Sequence, residues 1–341
     1  MTPKTSLFIR MPGAMEPPLV RGTRGLGTVQ LGLVLAASRV FGIGAGDDAA
    51  FAQAAPAPAK APLPASAFER ARFSIVAGFG GVPLNVVEVG DPSRPAILLI
   101  HGFRQSYLSW TYQFGSDLKT RRRLVAFDLR GHGNSGSPWW PDAYDQARPW
   151  ADDVDAVIKA TGLVKPLVVG WSFGGNVAMD FARYHPEVPI AGYVLVATTG
   201  GFVKAPPPPP KAPARPSASP NLQVNIAAVD ASTRFLFPAT VDATLRDQFK
   251  AAAMRVSPFV DQAIARRAGY DNLDLLKSLT TPVTFVFGGK DPIVGPALAQ
   301  TLTANLPRAK VVVFPNAGHG LFIEDPEHFN ALLDDKKCCL R

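Results

Sequence analysis

Residues 170–175 read Gly170-Trp171-Ser172-Phe173-Gly174-Gly175, with an apolar run at 166–169 before them and the helical pattern NVAMDFARY (176–184) behind. A G-x-S-x-G sequence between a strand and a helix makes a very tight turn. A side chain at 170 or 174 would strike neighbouring backbone, so both places call for glycine. The serine between them is forced into strained backbone geometry, its hydroxyl held above the end of the sheet. The helix behind it aims its first N–H groups, and the positive end of its dipole, at any anion formed there. Ser172 is therefore the candidate nucleophile. The flanking strand and helix set this apart from an ordinary glycine-rich turn.

The chain on both sides repeats one signature. Short unbroken apolar runs at 96–100, 124–127, 167–169, 193–197, 283–287 and 311–314 read as strands buried on both faces. Helical patterns at 150–161, 174–184 and 296–305 lie between several of them. This alternation predicts an α/β fold: a mostly parallel β-sheet covered by helices on both faces. Two further strands, 73–76 and 82–89, flank the turn 78–81 and would supply an antiparallel edge.

About 85 residues separate the runs ending at 197 and starting at 283. They open with KAPPPPPKAPARPSASP (204–220), read as a flexible polyproline II stretch. Several short helices follow over 221–280, with Phe235, Leu245, Phe249, Phe259, Val260 and Leu276 among their apolar positions. Such a helical cap insertion, about 201–280, belongs over the sheet's C-terminal edge, where open α/β sheets bind ligands.

A serine nucleophile needs a base, and the base needs an acid to orient it. In turns of this class the chain order is Ser, then Asp or Glu, then His. Asp291 follows the run 283–287 in Gly288-Gly289-Lys290-Asp291-Pro292, and His319 follows 311–314 in Pro315-Asn316-Ala317-Gly318-His319-Gly320. Both therefore stand at the same sheet edge as Ser172. His101, His132 and His185 lie in the wrong chain order or in structural settings, and His328 falls inside a predicted helix. The candidate catalytic set is Ser172, Asp291 and His319. The oxyanion donors are expected to be the backbone N–H groups of Phe103, in the loop after 96–100, and of Phe173, next to the nucleophile. Trp139, Trp140, Phe103, Phe173, Phe235 and Phe259 suggest an apolar pocket for a small acyl or ester substrate.

Composition bounds the alternatives. At 341 residues, with 47% hydrophobic and 18% charged, the chain can build one domain with extra segments and is not disordered overall. The net charge of +8 is scattered apart from Arg121-Arg122-Arg123, and no nucleic-acid-binding motif accompanies it, so no nucleic-acid partner is implied. Cys338 and Cys339 are the only cysteines, which excludes a disulfide framework and a cysteine-built zinc cluster. No metal, cofactor or obligate protein partner is called for.

The first 66 residues read as a targeting segment and an Ala/Pro linker, leaving 67–341 as the folded domain. Lys4, Arg10, Arg21 and Arg24 precede a thirteen-residue stretch, 26–38, that is apolar or small apart from Gln30 and has the length of a signal-peptide core. Export to the periplasm or outside the cell is expected. Membrane anchoring by this segment, or a cytoplasmic chain with an extension of no targeting role, are the alternatives.

Taken together, His101-Gly102, Asp128-Leu129-Arg130-Gly131-His132-Gly133-Asn134-Ser135, the 170–175 turn, Gly289-Lys290-Asp291 and Gly318-His319 resemble the α/β-hydrolase fold superfamily over residues 73–333. Within it the chain looks most like bacterial serine esterases and cofactor-free haloperoxidase or perhydrolase-like members. The resemblance implies a Ser172–His319–Asp291 triad, an acyl-enzyme intermediate and oxyanion donors at Phe103 and Phe173. Perhydrolase or carbon–carbon bond hydrolase chemistry on the same triad, or a non-catalytic binding protein, are the competing readings. The polyproline stretch departs from the usual pattern, as does the polar end Asp334-Asp335-Lys336-Lys337.

Overall fold

The computed structural model describes Pro64 and residues 67–203, 215–238, 240–267, 271–295 and 297–335. The stretch expected to direct export, the linker apart from Pro64, residues 204–214 and the Cys338-Cys339 pair lie outside the described residues. Among the described residues no helix is long and apolar enough to cross a membrane.

Eight strands form one sheet: β1 (Arg72–Ala77), β2 (Pro83–Val89), β3 (Ala96–Ile100), β4 (Arg123–Phe127), β5 (Leu167–Trp171), β6 (Gly192–Val196), β7 (Val283–Gly288) and β8 (Lys310–Phe314). Their spatial order is β1-β2-β4-β3-β5-β6-β7-β8. β1 and β2 pair antiparallel, as do β2 and β4, and every other pair is parallel. The α/β sheet expected from the alternating pattern, antiparallel edge included, is thus present.

Every residue of β3 to β7 is buried. Successive side chains point to opposite faces, and both faces are covered. Leu98 and Ile100 pack with Trp150, Val154, Val177 and Phe181 from the helices Arg148–Thr161 and Phe173–Tyr184. Ile97 and Leu99 belong to the opposite core with Trp110, Phe114 and Phe329. Each such side chain contributes roughly 1.5–3 kcal/mol on burial, which is why unbroken apolar runs settle in the middle of the sheet. The parallel order brings the C-terminal ends of β3, β5, β7 and β8 to one edge.

Between β6 and β7 the described residues form a 3₁₀ turn, Pro216–Ala218, and four helices: Leu222–Leu236, Ala243–Met254, Pro258–Ala265 and Leu273–Ser278. Three begin on side-chain caps that satisfy free amides. Asn221 accepts from Gln223 and Val224, Asp242 from Leu245, and Ser257 from Val260.

Two expectations for this region are corrected. The stretch expected to be flexible extends to 220, yet Ser217 and Ala218 within it are anchored, while Arg215, Pro216 and Pro220 stay exposed. Ala218 is fully buried, and the carbonyls of Ser217 and Ala218 accept from Arg104, Asn225 and Gln262. Pro216 presets the turn, which leaves those carbonyls unpaired locally and open to long side chains from elsewhere. Phe235, expected at an apolar pocket position, is 46% exposed. The buried stripe of its helix runs instead through Asn225, Val229 and Thr233, one residue each turn.

The basic run is also accounted for. Arg121 and Arg122 reach Asp334, at 2.5 and 3.1 Å, and Arg123 pairs with buried Glu88 at 2.6 Å. Asp334, at the end of the last helix, is therefore the partner of Arg121 and Arg122.

Candidate active site

Ser172 sits between β5 and the helix Phe173–Tyr184 with φ 52° and ψ −117°. That conformation is sparsely populated for a residue with a Cβ and costs on the order of 1–3 kcal/mol. Its neighbours hold it there. A Cβ on Gly170 would lie 2.5 Å from the Gly174 carbonyl oxygen, and one on Gly174 would lie 2.3 Å from that of Ile100. Only glycine lets the helix start this close to β3 and β5. Ser172 precedes the helix but makes no capping hydrogen bond, so its hydroxyl is not spent there. The residue is partly exposed.

The loops after β7 and β8 interlock beside it. The Lys290 N–H donates to the Ala317 carbonyl at 2.9 Å. Asp291 accepts the amides of Ile293 and Val294 on Oδ1, at 2.7 and 3.0 Å, which leaves Oδ2 for His319 Nδ1 at 2.9 Å. Both side chains are almost wholly buried. An ionised carboxylate only accepts, so the proton of this bond sits on Nδ1 and the lone pair on Nε2. A buried aspartate holding a histidine in this tautomer presents a base. The His319 carbonyl in turn accepts Trp171 Nε1 at 2.9 Å, and the two rings lie 5.7 Å apart. The residue preceding Ser172 is thereby bonded to His319.

The loop after β3 approaches from the other side. The Phe103 ring packs edge-on to Phe173 at 6.2 Å. Among the described residues neither the Phe103 nor the Phe173 amide has a hydrogen-bond acceptor. Two amides next to a partly exposed serine suit a developing oxyanion.

The other histidines are engaged elsewhere. His101 Nε2 accepts the Leu129 amide at 2.9 Å, and its Nδ1 bonds the Gly102 carbonyl. Burial pushes it down to about 4. Burial, reinforced by His101, pushes His132 down to about 3, and its Nδ1 bonds the Arg130 carbonyl. His185 bonds Asp152 and His328 bonds Asp325, both at 2.7 Å. The run 128–135 is a brace. Asp128 accepts the amides of Tyr107 and Asn134, and Arg130 forms a two-pronged, fully buried pair with Asp153 at 2.6 and 2.7 Å.

Of the aromatic residues expected to line a pocket, Phe103 and Phe173 meet each other, and Phe173 also packs edge-on to buried Trp150 at 5.0 Å. Trp139 meets Phe259 at 5.1 Å with the rings tilted but is 76% exposed, and Trp140 is exposed as well. Sequence reasoning did not single out Phe237. It packs on Trp171 at 5.9 Å, and a Cβ on Gly320 would lie 3.1 Å from its ring. Nor did it find Glu324, whose Oε1 accepts the Gly318 amide at 3.0 Å, steadying the residue before His319. Burial pushes the Glu324 carboxyl up. An acidic residue five after the histidine was the only signal for it.

Residues 95–326 match the family model described as alpha/beta hydrolase fold. The AB hydrolase superfamily protein YisY of Bacillus subtilis is 28% identical over 259 residues, which cover 74% of this chain and 94% of that one. The structure assigned as an aryl esterase from Burkholderia cenocepacia superposes with TM-score 0.70 at 32% identity, covering 77% of this chain and 96% of that one. Esterase RhEst1 from Rhodococcus sp. ECU1013 gives TM-score 0.68 at 26% identity, covering 76% and 96%.

Proposed function

This chain belongs to the alpha/beta hydrolase fold family, and from that premise we propose that it is a serine hydrolase of carboxylic esters or related acyl compounds. The observation that carries the reading is the 2.9 Å bond between buried His319 and Asp291, on loops tied through Trp171 to the strained Ser172. The Burkholderia and Rhodococcus esterases share the fold over nearly their whole length, which favours ester chemistry.

In this reading Ser172 Oγ attacks the acyl carbon and passes its proton to His319 Nε2. Asp291 holds the imidazole and stabilises its charged form. The carbonyl oxygen, now negative, accepts the Phe103 and Phe173 amides and meets the N-terminal end of the helix Phe173–Tyr184. The proton on Nε2 goes to the departing alcohol. Water, deprotonated by the same nitrogen, then releases the acid and regenerates Ser172. The Phe103 and Phe173 rings favour an apolar acyl group.

The test is covalent labelling with a fluorophosphonate, followed by turnover of p-nitrophenyl esters of rising chain length. Wild type is expected to label and turn over. Ser172→Ala should fail to label and lose on the order of 10⁴–10⁶ in kcat. Full labelling of Ser172→Ala overturns the assignment.

A further inference from the structure

Arg104 adjoins the Phe103 amide, and the chemistry above gives it no task. Its backbone φ is 60°, although it is not glycine. The Gln105 N–H closes a turn onto the Gly102 carbonyl at 3.1 Å, with Phe103 and Arg104 as its two central residues. Positive φ at the second central position marks a type II turn, where glycine or asparagine is usual. An arginine does not choose that conformation unaided.

What holds it comes from the helices between β6 and β7. Arg104 Nε donates to Asp261 Oδ2 at 2.9 Å, Nη1 to the Ala253 carbonyl at 2.9 Å and Nη2 to the Ser217 carbonyl at 2.6 Å. These acceptors lie on three separate elements: the helix Pro258–Ala265, the helix Ala243–Met254 and the 3₁₀ turn Pro216–Ala218. Asp261 is fully buried, and its Oδ2 also accepts Ser217 Oγ at 2.8 Å. Each guanidinium nitrogen is thus engaged within the protein, which leaves Arg104 poorly placed to bind a substrate anion. A rigid fork suits this task, since a lysine ammonium cannot span three fixed acceptors in one plane.

We propose that Arg104 is a positioning residue for acyl transfer: its buried pair with Asp261 locks the Gly102–Gln105 turn and makes the placement of the Phe103 amide depend on the seated helical insertion. The proposal deepens, and rests on, the serine hydrolase reading. Without the tether the turn relaxes toward negative φ at 104. The peptide joining Phe103 to Arg104 turns over, and the amide one residue upstream loosens. Substrate still binds, but the oxyanion loses a fixed donor.

The test uses the full chain with Arg104→Lys and Asp261→Asn, each followed by kcat and KM on p-nitrophenyl acetate and by near-UV circular dichroism. In both variants kcat is expected to fall about 10- to 100-fold, since a donor that is displaced costs less than the roughly 100- to 1,000-fold of one removed outright. KM should stay within about threefold and the near-UV spectrum should be retained, a split that a merely structural brace does not produce. A folded variant with kcat within about twofold of wild type overturns the proposal. So does a raised KM at unchanged kcat, which would mark a substrate-binding role. If Arg104→Lys does not fold, Asp261→Asn, which keeps the shape and one acceptor, decides. If neither folds, the pair holds the whole domain and the proposal is wrong. Ser172→Ala is assayed in parallel, and full turnover there sinks the serine reading whatever the other two variants do.

Discussion

His319 and His328 stand nine positions apart and differ in what their rings touch. His319 hangs from the loop after β8 and bonds Asp291, whereas His328 bonds Asp325, the cap of its own helix Pro326–Asp334. His319→Gln should cut kcat by orders of magnitude. His328→Gln should leave kcat within a few-fold and cost about 1 kcal/mol for its hydrogen bond. Steady-state turnover and thermal melts check both, and a dead His328→Gln with an active His319→Gln would reverse the assignment. The two fully buried histidines near that loop edge, His101 and His132, set a different expectation. His101 and His132 fall from 6.5 to about 4 and about 3. A lowered value in the fold means stability that is fully present above pH 6.5 and lost as pH falls toward those values. At ~1.36 kcal/mol per unit, the two shifts together amount to roughly 8 kcal/mol at most. Melts between pH 7 and pH 4 should therefore fall steeply in wild type and less steeply in His132→Asn. Equal slopes would show that other groups govern acid stability.

The elbow is an element whose sterics can be tested against a control glycine. A methyl on Gly174 meets the carbonyl oxygens of Ile100 at 2.3 Å and His101 at 2.5 Å, both backbone atoms that cannot swing away. Gly174→Ala must push the helix Phe173–Tyr184 off β3, so a loss of more than about 2 kcal/mol is expected, together with most activity. Gly162 ends the helix Arg148–Thr161 at φ 64° with open space around a would-be Cβ. Gly162→Ala pays only for the left-handed backbone, about 1–2 kcal/mol, and should keep wild-type kcat. Denaturant melts and turnover on the two variants distinguish a collision from a conformational cost. If Gly174→Ala is the milder of the two, the close approach of helix and strand is not what the elbow depends on.

Across the whole molecule the insertion and the sheet are joined by long-range contacts, and the anchored Ser217-Ala218 pair is one of the joints. Removing Pro216–Ala218 takes away buried Ala218 and the carbonyls that receive Arg104, Asn225 and Gln262. Bonds to charged groups contribute about 1.5–3 kcal/mol and neutral ones about 1. In a domain of this size 1 kcal/mol moves the midpoint by roughly 2–4 °C, so a fall of at least about 5 °C is expected in a thermal scan. An unchanged midpoint would return this segment to the flexible stretch. The sequence by itself determined the strand–turn–helix units, because glycine sterics and apolar period act over a few neighbouring residues. It also nominated Ser172, Asp291 and His319, each following a buried run by a few positions. Nothing local, however, relates Arg104 to Asp261, 157 positions apart, or Trp171 to His319, 148 apart. Those contacts exist because the order β3-β5-β6-β7-β8 brings the loops to one edge and the insertion folds against them. Phe235 shows the same limit in reverse: it is as apolar as Phe237, yet one is exposed and the other buried against Trp171. Two residues along a helix end reverse the direction a side chain faces, and only the packed partners decide which of the two finds the core.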